Sequence, residues 1–272
     1  MLLYLWLANF LFSLIILTPF YFLISNDFSR SMMQDQMVKG LELFWLGDLV
    51  YKYQNIFPAI FGWMLVPGIF FLLLYIFLSG GIIGRICALQ EEKINLRNFF
   101  ADCGKYFLRF LRVFLISILA YIIVFGIGAR VISALFSLWT KGASSEWPLV
   151  VSSNLKLLVF ILLFSIARMF FDYVKISLVV EKSRKTVKAT ISTLSFIGRN
   201  FFKAWLLYLG VGLIAVLFGL FFLGIAKLMA RTSLILVFIF FLIQQLYILS
   251  RMWTKILFFS TEYHFFWLRK IS

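Results

Sequence analysis

The stretch IFPAIFGWMLVPGIFFLLLYIFLSGGII, residues 56–83, contains no charged residue. A helix needs roughly 20 apolar residues to cross the hydrocarbon core of a bilayer, and this run exceeds that length without interruption. It reads as a membrane helix. Comparable stretches lie at about 2–24, 113–138, 153–174, 204–226 and 232–254. The 272-residue chain as a whole is 63% apolar and only 14% charged, whereas soluble domains are about half apolar and about a quarter charged. The fold class expected is therefore all-α: a polytopic membrane helix bundle of six transmembrane helices. It would form a single integral membrane domain over 1–272, built as three helix hairpins. The first stretch, MLLYLWLANFLFSLIILTPFYFLIS, has neither a basic n-region nor a small-residue cleavage site, so it is expected to remain as a membrane helix.

The net charge of +15 would suggest nucleic acid in a soluble protein, but no nucleic-acid-reading module accompanies it. In a membrane chain, the basic residues are counted by side. Of the 26 lysines and arginines, 18 fall in the segments on one side and 8 on the other. The positive-inside rule then places both termini in the cytoplasm. The expected partners are anionic phospholipids, to which each exposed basic side chain contributes about 1 kcal/mol, together with a membrane-protein partner or a second copy of the chain. No nucleic acid is expected.

Amphipathic segments flank the spans on that side. Leu96, Phe99, Phe100, Cys103, Phe107 and Leu111 recur at helical spacing, with Arg97, Lys105, Arg109 and Arg112 among the polar positions. Val187, Ile191, Leu194 and Phe201 make a second stripe beside Arg184, Lys185, Lys188 and Arg199. Both read as interfacial helices on the cytoplasmic leaflet. A third amphipathic helix is expected in the outer segment 25–55, from the spacing of Met37, Leu41, Phe44, Trp45 and Leu49. The even-numbered spans end alike, in RICALQE (85–91), KISLVVE (175–181) and KILFFSTE (255–262), which suggests a weak internal repeat.

Ionisable groups in a membrane helix are costly and by default mark a site. In ARMFFDYVKISLVVEKSRK, 167–185, Arg168 and Asp172 are one turn apart and Lys175 follows three residues later, so all three share a face. One reading makes Asp172 a proton or cation site, or makes Arg168 and Lys175 a seat for a lipid headgroup. The other places the group at the water boundary, self-neutralised, with long side chains reaching the headgroups. Gln244 and Gln245 are the other polar candidates at depth, and amides there commonly join helices. Gly80 and Gly84 form a GxxxG, read as close helix packing.

Cys87 and Cys103 lack metal-site spacing, and His264 is the lone histidine, so no metal site and no cofactor is expected. No Walker A, HExxH or GxSxG motif occurs, and the chain is not expected to be an enzyme.

The segment FFDYVKISLVVEKSRKTVKATISTLSFIGRNFFKAWLLYL, 170–209, resembles a signature of bacterial polytopic membrane proteins, in which an acid precedes a V-V-E step and an amphipathic segment ends in R-N-F. With SRSMM…GLELFWLGDL and SGGIIGRI…NFFADCGKYFLRFLR, it is similar to the membrane domain attached to some glycerophosphodiester phosphodiesterases and to its free-standing relatives. That resemblance implies a bacterial inner-membrane location and a six-helix bundle, and carries over no catalytic residue. The leading functional expectation is a non-enzymatic membrane subunit of an envelope or transport assembly that organises partners or lipids. The alternative is a small transporter or lipid-handling protein with a charged cytoplasmic-side cavity lined by Arg168, Asp172, Lys175 and Gln244.

Overall fold

The computed structural model describes residues 2–28, 51–88, 95–141, 145, 147–183, 185–229 and 233–271. Among them are six long helices: α1 (Leu2–Phe28), α2 (Phe57–Ala88), α3 (Leu96–Thr140), α4 (Trp147–Val180), α5 (Thr186–Leu228) and α6 (Leu234–Ile271). Each is long and apolar enough to cross a membrane. The chain is a multi-pass, all-α membrane protein. In no span's most apolar window is more than 17% of the residues buried, so the apolar surface of the spans faces outward, as contact with lipid requires. The outer segment's expected helix and Arg184 lie outside the described residues.

The amphipathic segments are not separate elements. In α3 the segment 96–111 continues into the following span in one 45-residue helix, capped at its start by the Asn95 side chain. Nothing in that stretch breaks a helix. At 1.5 Å per residue, α3 is roughly 67 Å long, about twice the hydrocarbon thickness. In α5 the two parts meet at a kink, where Asn200 has φ −124° and ψ 21°. The residues after the expected span 232–254 are likewise helical and belong to α6, which runs to Ile271.

By packing, the chain divides into two compact units. The first comprises residues 1–75 and 213–256. Here Trp6 Nε1 donates to Gln245 Oε1 at 2.9 Å, so this amide joins α1 to α6. Phe12 packs on Phe71, and Phe222 stacks on Tyr247 with ring centroids 4.5 Å apart.

The second unit comprises residues 76–212 and 257–272, and its core is concentrated at the end where the basic residues gather. Between 169 and 179 nearly every α4 side chain is buried, including Met169, Tyr173, Val174, Ile176 and Leu178. A helix buried all round is a central strut. Val113 of α3, Phe171, Val174 and Leu178 of α4 and Ala189 of α5 form one cluster, backed by Ile116, Ala120 and Tyr121.

The end of α2 packs against the start of α3 through SGGIIGRI. A Cβ on Gly81 would meet Cys103 Sγ and lie 2.7 Å from the Phe99 ring, and one on Gly84 would lie 2.9 Å from Asp102 Cβ. The GxxxG is thus an intramolecular contact. Its apolar partners, Phe99 and Cys103, are buried against α2, while Leu96 and Phe100 of the same amphipathic stripe are exposed.

Candidate functional site

The α4 stretch that stands out in sequence supplies the charged centre of the second unit. Asp172 is buried, and Lys175 Nζ donates to its Oδ1 at 2.7 Å. The spacing of three residues places both on one helix face, as expected. Arg168, one turn earlier, is exposed and acts electrostatically on Tyr121 together with Asp172. The self-neutralised arrangement is the one observed for Asp172 and Lys175. Gln244 belongs to the other unit.

Sequence reasoning missed the acid that completes the centre. Glu262 of α6 is fully buried, and neither of its carboxyl oxygens has a hydrogen-bond partner. It lies within electrostatic reach of Asp172, Lys175 and Arg168. The hydroxyls of Tyr173 and Ser177, one turn apart on α4, are also buried without partners. Glu262 is the last residue of the repeated KILFFSTE and lies beyond the expected span 232–254. Around the centre, Tyr173 packs with Phe196 and Phe265, while Phe196 meets Phe266 at 4.8 Å. The Lys270 ammonium pairs with Glu181 and fixes the end of α6 to the end of α4.

A second missed pair holds α2 to α3. Asp102 Oδ2 accepts from Arg85 Nε at 2.7 Å and lies 2.5 Å from Nη2, with both side chains largely buried. Gly84 makes the approach possible, since any side chain there would meet Asp102. Cutting one member of such a pair costs about 3–5 kcal/mol, because the other charge is left buried.

The basic face divides into two parts. On α3, Arg97 and Lys105 are exposed, and the cations of Lys105 and Arg109 lie 5.2 and 5.5 Å from the Tyr106 ring. The second part is an open groove of about 770 Å³ lined by Arg112, Lys185, Thr186, Val187, Lys188, Ile191 and Ser192. Among the described residues, no carboxylate lines it. Here the second apolar stripe does face outward, for Val187, Ile191 and Leu194 are more than 60% exposed.

Among the described residues, no group of three or more histidine, cysteine, aspartate or glutamate side chains could hold a metal ion. Comparison with protein-family models, curated proteins and solved structures finds no match to this chain.

Proposed function

We propose that this chain is a non-enzymatic subunit of the bacterial inner membrane, with both termini in the cytoplasm, that engages anionic phospholipid at its basic end. The observation that carries this reading is the groove beside the start of α5. Arg112, Lys185 and Lys188 supply three cations with no carboxylate among the described lining residues, Ser192 supplies an exposed hydroxyl, and Val187 and Ile191 supply exposed aliphatic surface. A phosphodiester headgroup needs the first two features, and the first carbons of an acyl chain need the third. Surface-potential attraction at about 1 kcal/mol per basic residue makes the three cations worth on the order of 100-fold in lipid affinity.

The test is native mass spectrometry of the full chain released from membranes, beside binding to nanodiscs with and without phosphatidylglycerol. The triple variant R112Q/K185Q/K188Q is expected to lose retained anionic lipid while remaining folded. Equal retention by the variant and the parent chain would reject the groove as the site. A stoichiometric protein, or a second copy, in the same spectra would identify the partner of the subunit.

A further inference from the structure

Glu262 stands apart from the lipid groove, and its position on α6 fixes what it faces. Phe265, one turn later, packs on Tyr173 of α4 and Phe196 of α5. Phe259, one turn earlier, lies 5.9 Å from the Lys175 ammonium. This face of α6 is therefore turned toward the charged stretch of α4, where the unpartnered hydroxyls of Tyr173 and Ser177 also lie. Buried polar side chains nearly always have a partner, and an ionised carboxylate buried without donors is strongly disfavoured. The charged and titratable groups in electrostatic contact with Glu262 include Arg168, Asp172, Tyr173 and Lys175 from α4 and Tyr208 from α5.

Lys175 is the member able to change partner. Its flexible stem holds the ammonium on Asp172 at 2.7 Å while the same charge lies near the Phe259 ring, a turn away from Glu262. We propose that Glu262 is a proton-binding site, and that its proton decides which acid holds Lys175. With Glu262 protonated, the ammonium stays on Asp172, as in the structure. When the O–H bond of Glu262 breaks and the proton passes to water, the new carboxylate draws Lys175 from Asp172. The two acids thus share one lysine, and α4 and α6 carry a two-state ion pair of the kind that couples protonation to helix position.

Infrared difference spectroscopy of the full chain in nanodiscs, taken across a pH series, tests this. A protonated-carboxyl C=O band that disappears as pH rises is expected from the parent chain, absent from E262Q and retained in E262D. In D172N the lysine has Glu262 as its remaining acid, so the band should disappear at a pH lower by roughly one to three units. In K175M it should persist to higher pH. No such band in the parent chain, an unchanged band in E262Q, or a midpoint unmoved in both D172N and K175M would overturn the proposal. The last two variants keep it decidable if E262Q does not fold.

Discussion

At Gly81 it is the missing side chain that matters. The ring of Phe99 and the sulfur of Cys103 occupy the space a Cβ would need, and both residues are buried. Overpacking of this kind costs about 1–3 kcal/mol. Gly81→Ala should therefore lower the thermal unfolding temperature in detergent. Gly126→Ala, with nothing within 4 Å of the added carbon, should be neutral or stabilise by up to about 1 kcal/mol through helix propensity. Identical shifts for the two variants would show that the contact is not tight. In sequence the GxxxG spacing picks out Gly80 and Gly84, yet the tightest position is the glycine between them. Helical spacing identifies a small-residue face but not which carbon on the facing helix comes nearest. The same limit hid Asp102 and Glu262. Asp172 and Lys175 pair within one helix, so their partnership is legible from spacing, whereas Arg85–Asp102 and the surroundings of Glu262 depend on contacts between helices.

The six helices were legible because strongly apolar runs of membrane length need no tertiary information. Where they begin and end was not. The segment 96–111 has the composition of an interfacial helix, but without a strong breaker it propagates into the span as one 45-residue element. The second amphipathic segment does end, at Asn200, where a local cause is open to test. Asn200 Nδ2 donates to the Phe196 carbonyl at 3.2 Å, the oxygen that would otherwise accept the Asn200 backbone N–H in an unbroken α-helix. Side chains of this type compete with the helical ladder and bend it. Replacement of Asn200 by alanine is expected to straighten α5. Spin labels at Ile191 and Leu206, both exposed and on opposite sides of the kink, should then move apart in a pulsed dipolar measurement. An unchanged distance would assign the bend to tertiary packing.

The distribution of charge along the whole chain and the length of α3 together make a claim about sidedness. Lys105 and Lys141 are both exposed and 36 residues apart, which is roughly 54 Å along a helix axis and more than the 40–45 Å of a complete bilayer with its headgroups. Ile123 lies midway and is 58% exposed, as a lipid-facing side chain should be. On the positive-inside rule, the excess of arginine and lysine around the start of α3 and after α4 would set Lys105 on the cytoplasmic side and Lys141 on the other. Single cysteines at these three positions, introduced with Cys87 changed to serine and the buried Cys103 left in place, separate the outcomes. In intact spheroplasts a membrane-impermeant maleimide should label Lys141→Cys alone. In inside-out vesicles it should label Lys105→Cys alone, and Ile123→Cys should stay unlabelled in both. The reverse pattern would invert the topology and remove the groove from the anionic cytoplasmic surface, whereas labelling of Ile123→Cys would mean that the middle of α3 lines water. Either result would reach the function directly, because the lipid reading needs Arg112, Lys185 and Lys188 on the side where positive charge is retained.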